Sequence, residues 1–360
     1  MAESPTTRNE IYSARPTVKF DNQDDELVRA NLRSLEMTES EGGMSAVELR
    51  LSNWVSRPDG TAELAFEDGK KVKLGAALVI ATGDETDPRE IFRGTVTGLE
   101  AQFEDAGSPE IVVLAEDALQ KARMHRRSRV VDSATLSGLA SDVARKAGLS
   151  PSVTGLSDDI GTQVQLNESD LAFFRRMLAR HDADLQVVEN DLKVAPRAGT
   201  RRGQVELKMY GQLRRVRVLA DLSQQVTETT AAGWDAKQGQ RVSATSTGSD
   251  TGPGAGKKGA DALRGALGDR SEHVADLAVS TDAEARALAD AAFDGRQRRF
   301  VTVEGVCDGN PLVRVGTHVK LTGLGPRFSN TYHVVRAAHR WDVEHGYVTE
   351  FEGECAFLGQ

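Results

Sequence analysis

Two cysteines in 360 residues, Cys307 and Cys355, are too few to staple a fold with disulfides, and no CxxC spacing offers a zinc pair. Each reads as a buried free thiol. No apolar run approaches the roughly 18 residues that a membrane span needs. The N-terminus MAESPTTRNEIYSARP lacks the apolar stretch of a secretion signal, so the expectation is synthesis and assembly in the cytoplasm. Aromatics make up only 5% of the chain, and none interleave with its basic runs, Lys121 to Arg129 and Lys193 to Arg217, to stack on bases. An excess of positive charge is missing too. Forty-five basic residues face 54 acidic ones, a net −9, which gives no overall pull toward nucleic acid or anionic lipid.

What the chain does have is glycine, 34 residues of it, and alternation. In VELRLSNW, Val47, Leu49 and Leu51 alternate with Glu48 and Arg50, the period of a half-buried strand. Turn signals at RPDG and EDG separate it from TAELAF, KKVKLGAALVIATG, EIFRGTVTGLEAQF and EIVVLAED. Short strands divided by such turns predict an antiparallel barrel or sandwich. SATLSGLASDVARKAG then places Leu136, Leu139, Ala140, Val143 and Ala147 on one helical face, with Ser133 as N-cap and Gly148 as stop. A strand, TQVQLN, leads to a second helix in NESDLAFFRRMLARHDADL, capped by Asn167 or Ser169 and apolar at Leu171, Phe174, Met177 and Leu178. DLQVVEND and LKVAP read as strands joined by an Asn190–Asp191 turn, and QVELKMY and LRRVRVLADL as two more. From 245 to 260 the chain is rich in Gly and Ser and predicts a flexible loop. TDAEARALADAAFDG opens a helix with a Thr281/Glu284 capping box and closes it at Gly295. The last sixty residues return to strands.

Each catalytic pattern in the chain has a plainer reading. Glu168 and Asp170 stand where carboxylates offset the positive end of a helix dipole, and Arg175, Arg176 and Arg180 stand at the opposite end. Asp182 and Asp184 follow the helix. Charges so ordered serve the helix itself, whereas a paired-carboxylate hydrolase needs two groups held across a cleft. GAGKKG (254 to 259) fits GxGxxG literally but follows no strand, and no Walker pattern is present. His333, His339 and His345 match no metal spacing, although His333 and His339 are expected to share one strand face. No GxSxG elbow occurs. The residues therefore assign no catalytic, cofactor or metal site.

Four passages, in order, resemble a known family. QLNESDLAFFRRMLARHDADLQV is similar to the hallmark of phage late-control protein D, a tail-hub protein, and of the hub portion of type VI secretion spike proteins. GMSAVELRLSNW resembles that family's first barrel, and Gln225-Val-Thr-Glu with Gly233-Trp-Asp resembles the segment between barrels. VRVGTHVKLTGLGPRFSNTYHVVRAAHRWDVEHGYVTEFEGE is similar to its closing strands. The resemblance implies an α+β, mainly β fold: two tail-tube-like antiparallel β-barrels with an α/β insertion. The implied layout is an arm at 1–16, a first barrel from 17–116 and 204–235, the insertion at 117–203, a second barrel at 236–355 and a tail at 356–360. It further implies a homotrimeric hub of a contractile phage tail or injection system that joins a hexameric inner tube to a trimeric spike, alongside other baseplate proteins. No needle repeat follows the last strand, so a separate spike protein is expected. Two rival readings remain at this level: a cell-wall hydrolase using Glu168, Asp170, Asp182 or Asp184, and a carbohydrate- or receptor-binding module at a particle tip.

Overall fold

The computed structural model describes residues 15–359, apart from 57–58, 84–87, 198–201 and 275–278. All but the last two residues of the expected N-terminal arm, and the start of the RPDG turn, lie outside the described residues.

The first half contains β1 (Thr17–Phe20), β2 (Gln23–Asp24), α1 (Glu26–Asn31), β3 (Leu32–Ser40), β4 (Ser45–Ser52), β5 (Val55–Ser56), β6 (Ala62–Glu63), β7 (Ala77–Gly83), β8 (Pro88–Gln102) and β9 (Glu110–Asp117). Alternation does here what period two predicts. Leu35 and Met37 of β3, Val47, Leu49 and Leu51 of β4, and Ile111, Val113 and Ala115 of β9 share one apolar core with Phe66 and Val72.

The insertion comprises α2 (Gln120–Arg123), β10 (Arg126–Val131), α3 (Leu136–Ala147), β11 (Ser150–Val153), β12 (Gln163–Ser169), α4 (Asp170–Arg180), β13 (Ala183–Val188) and β14 (Asp191–Pro196). Its separate core joins the inner faces of α3 and α4 to Leu185, Leu192 and Val194. Thr135, not Ser133, caps α3: its hydroxyl accepts from the Gly138 amide, because Ser133 is held in a left-handed turn at φ +48°. Gly148 stops α3 in the left-handed conformation at φ +77°. Ser169 caps α4, accepting from the Ala172 amide at 3.1 Å.

The remainder holds β15 (Gln204–Lys208), β16 (Leu213–Ala220), β17 (Glu228–Asp235), β18 (Gln240–Ser246), β19 (Lys257–Lys258), α5 (Gly259–Leu267), β20 (Ser271–Val274), α6 (Asp282–Arg298), β21 (Val301–Asp308), β22 (His318–Thr322), α7 (Gly325–Phe328), β23 (Thr331–Asp342), β24 (Gly346–Cys355) and β25 (Phe357–Leu358). Helix α6 runs through Gly295 to Arg298, since Phe293 before the expected stop and Gln297 and Arg298 beyond it are buried. Its cap is shared: Thr281 accepts from the Glu284 amide, while the Glu284 carboxylate accepts from Ser280.

The fold is mainly β, and its largest sheet has 13 strands in the order β16-β21-β24-β23-β3-β4-β9-β8-β7-β1-β2, with β22 and β15 branching from β23. Neither half closes into a barrel among the described residues. In the first half the ladder ends at β2 without returning to β3, and α1 packs against β1 and β4 with Val28 buried. In the second half an isolated bridge, Met209↔Leu213, links the ends of the β16-to-β15 path. The halves are instead joined edge to edge by antiparallel β3 and β23.

Residues 204–220, expected with the first barrel, pair with C-terminal strands: β15 with β22 and β16 with β21. Strand β17 belongs to a small side sheet with β18 and β20, against which α6 packs. The glycine-rich loop is tied down at both ends. Asp294 accepts from the Ser249 and Asp250 amides and the Ser249 hydroxyl, and β19 pairs with β25. No helix among the described residues is long and apolar enough to cross a membrane.

Candidate functional site: a charged sheet face and a buried ionic junction

Because strand residues alternate, burying one face of the large sheet turns the other outward. Arg217, Glu304, Glu352 and Arg336 stand in one row across β16, β21, β24 and β23. Arg336 pairs with Glu352 at 2.7 Å and Arg217 with Glu304 at 3.4 Å. Arg340 bridges Glu350 and Glu36, both at 3.0 Å, which carries the row over the β23–β3 seam. Arg50 and Glu48, 2.8 Å apart, extend it onto β4. A shallow groove of about 450 Å³ runs over this surface between Arg215, Glu304, Arg336 and Glu352. These pairs are half-exposed, so each contributes about 0–1 kcal/mol. Their effect is to make a long sheet face wettable and unadhesive rather than to hold it together.

Burial reverses that balance at the junction of insertion and sheet. Glu41, at the β3–β4 hairpin, lies 2.6 Å from Arg197 and 3.1 Å from His333. Arg197 also pairs with Glu354, and Arg298 of α6 pairs with Asp182 at 2.8 Å and approaches Glu354 at 3.6 Å. One cluster thus ties the first half, the insertion, α6 and the last long strand. Burial and the Glu41 charge push the Glu354 carboxyl up, against the pull of Arg197 and Arg298. Burial also opposes ionisation of Glu41, but the hydrogen bond from His333 and the Arg197 charge outweigh it and hold that carboxyl low.

A second buried group lies close to the seam. Arg314 forks onto Glu39 with two 2.6 Å contacts, and the Val315 amide adds a third at 2.7 Å. Burial alone would raise Glu39, yet the charges of Arg314 and Arg202 bring it down to about 2. Asp117 has no such partner. It accepts from the Ser45 and Leu119 amides, and burial pushes it up to about 6. Burial, with Arg314 nearby, pushes His339 down to about 3, so its ring stays neutral and meets the Tyr347 hydroxyl at 2.7 Å.

The carboxylates considered for hydrolysis are brought into no common cleft. Asp170 is buried at the start of α4 beside Lys146 (2.7 Å) and Arg127 (3.1 Å). Burial opposes its ionisation, but Lys146 and Gln165 outweigh that and lower its pKa. Glu168 pairs with Arg176 at 3.1 Å. Asp182 and Asp184 lie past the far end of α4, whose 11 residues span about 16 Å at 1.5 Å per residue. That exceeds the roughly 5–9.5 Å that separates working carboxylates in glycosidases. Asp184 accepts from the Gly42 amide at 3.0 Å, and burial, then the Glu41 charge, raises its pKa.

The histidines separate as well. A register shift between Val334 and Arg336 flips the alternation of β23. Tyr332 and Val334 before it, and Ala337 and Trp341 after it, all reach apolar cores. His333 therefore turns to the ionic junction and His339 to the core, not to one shared face. His345 sits in the following turn against Asp342 at 3.0 Å. Cys307 and Cys355 are buried free thiols, both pushed up to about 12 by burial. No group of three or more metal-ligating side chains converges among the described residues.

Glu39, Asp117 and Arg298 carried no part in the sequence reading, though a signal was present. Glu39 continues the register of Leu35 and Met37, Asp117 that of Val113 and Ala115, and Arg298 lies beyond the apolar face of α6. A charge at a core register implies a distant partner.

Solved structures share this fold. A 43 kDa tail protein of prophage MuSo2 from Shewanella oneidensis superposes with a TM-score of 0.68 at 13% identity, covering 94% of this chain and 97% of that one. A tail protein from Neisseria meningitidis gives 0.65 at 11% identity, covering 94% and 96%. An Escherichia coli component of the type VI secretion system, described as similar to bacteriophage T4 tail proteins gp27 and gp5, gives 0.57 at 11% identity, covering 94% and 76%. No curated protein matches the chain in sequence. The family model described as the Alg8 N-terminal domain matches residues 58–342, most of the chain, and the chain belongs to that family.

Proposed function

We propose that this chain is the structural hub of a contractile phage tail or a phage-derived injection apparatus. Three copies form a ring in which six tube-like half-units face a hexameric inner tube, while the opposite side seats a separate trimeric spike. The two half-units act as incomplete barrels, 17–117 and 204–220 with 300–358, and the insertion at 118–203 braces them from outside. The supporting observation is the β3–β23 seam: two half-units joined edge to edge in one antiparallel sheet whose outward face carries a row of charge pairs across the seam. Such a face suits a passage wall, because cargo slides past solvated ion pairs that are individually worth little. The fold shared with tail proteins is consistent with this role. The carboxylates of α4 act in the same reading as fasteners rather than reagents.

Assembly tests the proposal. Mixed with the inner-tube and spike proteins of its own particle, the chain is expected to form rings with threefold class averages in electron micrographs, one face capped by tube. Failure to co-sediment with either partner would overturn it, as would turnover of cell-wall glycan that disappears in Asp170→Asn.

A further inference from the structure

We infer that the two free edges of the large sheet are complementary. The β16 edge of one copy docks antiparallel beside the Thr97–Gln102 edge of β8 in a second copy, head to tail. The inference deepens the hub reading and rests on it for closure of the ring, but not for the pairing itself.

Both edges are open among the described residues. Beyond the single Met209↔Leu213 bridge at its first residue, strand β16 pairs only with β21. Strand β8 pairs with β7 up to Thr95 and is met by the Gly75–Ala76 backbone at Val96, after which β9 alone accompanies it. Long unpaired edges invite another strand, and monomeric proteins commonly blunt them. Direction also fits. From β16 to β8 the path runs through eight strands, every neighbour antiparallel. An even number leaves the first and last strands opposed, so a following copy continues the alternation, as β23 and β3 already do within the chain.

Charge supplies the matching. Strand β16 carries Arg214, Arg215 and Arg217 with no acidic residue between Glu206 and Asp221. The β8–β9 hairpin carries Glu100, Glu104, Asp105 and Glu110 with no Lys or Arg between Arg93 and Lys121. Among the described residues Arg215, Glu104 and Asp105 form no ion pair within the chain. The faces agree as well. Val216 and Val218 lean on the second core, leaving Arg215 and Arg217 on the charged face. Leu99 stands opposite core residue Val113, leaving Glu100 on the charged face. Leu99, Phe103 and Leu219 are exposed apolar side chains at these edges, 37%, 64% and 48% accessible, and docking would cover them.

Cysteine cross-linking tests the pairing on the full chain. Arg215→Cys, Arg217→Cys and Leu219→Cys are made separately from Gly98→Cys, Glu100→Cys and Gln102→Cys, and single variants are mixed pairwise under mild oxidation. The native thiols are buried and do not compete. A β16 variant mixed with a β8 variant is expected to give covalent dimers, and neither alone. Arg215→Glu/Arg217→Glu should weaken self-association at least tenfold, and mixing it with Glu100→Arg/Glu104→Arg should restore it. Covalent dimers from one variant alone, or none from any mixture, overturn the edge pairing. If threefold rings still form without cross-links, the hub reading survives and the edge assignment falls. If cross-links form but products grow as open filaments, the pairing stands and the closed ring falls.

Discussion

A carboxylate at the core register of an amphipathic strand has to be matched, and Glu39 is matched by Arg314 in a buried fork. Glu39→Gln is expected to cost about 3–5 kcal/mol in urea unfolding, because it strands a buried guanidinium, while Glu39→Met with Arg314→Met should recover most of that loss. Acid acts on three buried groups with different signs. Glu39, low at about 2 in the fold against 4.5, contributes stability that is present above pH 4.5 and lost below it. For His339, low at about 3 against 6.5, the unfolded chain takes up a proton that the fold refuses, so stability falls as pH drops through that window, by up to about 1.4 kcal/mol per unit. Asp117 runs the other way. At about 6 against 3.8, its proton is held by the fold first, and stability rises as pH falls from about 6 to 4. His339→Leu should therefore shallow the decline of melting temperature between pH 6.5 and 4.5. The Asp117 carboxyl carbon should titrate near pH 6 by NMR.

At the scale of elements, α4 and the β3–β4 hairpin decide whether the insertion is fastened. Gly43 sits at φ +92°, and a Cβ there would lie 2.0 Å from Leu185 Cδ1. Gly43→Ala is expected to lose about 1–3 kcal/mol through overpacking and strain. Hydrogen exchange should show the lost protection concentrated in β13 and α4. Phe174, fully buried in the insertion core, should cost about 3–5 kcal/mol when cut to Ala, whereas Ser169→Ala removes one cap bond and costs about 1 kcal/mol. Both helices were legible because period and caps are local: Gly148 as stop and Ser169 as cap need only their own neighbours. The Ser133 cap failed because Thr135 competes two residues later. The Gly295 stop failed because burial of Phe293 and Gln297 outweighs a glycine's helix penalty of about 1 kcal/mol.

At the scale of the whole molecule, the charged face and the buried junction divide the work. Arg336→Leu with Glu352→Leu removes an exposed pair, so melting should move little, in keeping with a loss within about 1 kcal/mol. Under the proposed hub role, particles carrying it should still assemble but inject less, since the substitution puts an apolar patch on the proposed passage wall. Arg298→Met, in contrast, strips Asp182 of its buried cation and leaves Glu354 to Arg197 alone, and should loosen the insertion from the sheet before the sheet melts, visible as a second calorimetric transition.

The sequence by itself determined most of the elements and the mixed helix–strand segment between strand-rich regions, since alternation, helical period and capping are read over a few residues. It could not assign β15 and β16 to the second half, because β15 meets β22 only after more than a hundred intervening residues and strand pairing leaves no local mark. Nor could it divide His333 from His339, because a bulge flips a strand's faces without changing its composition. Which charges became a surface and which a buried lock was decided only when the hairpin at Glu41, the insertion and α6 came together, for solvation belongs to the folded surroundings and not to the residue.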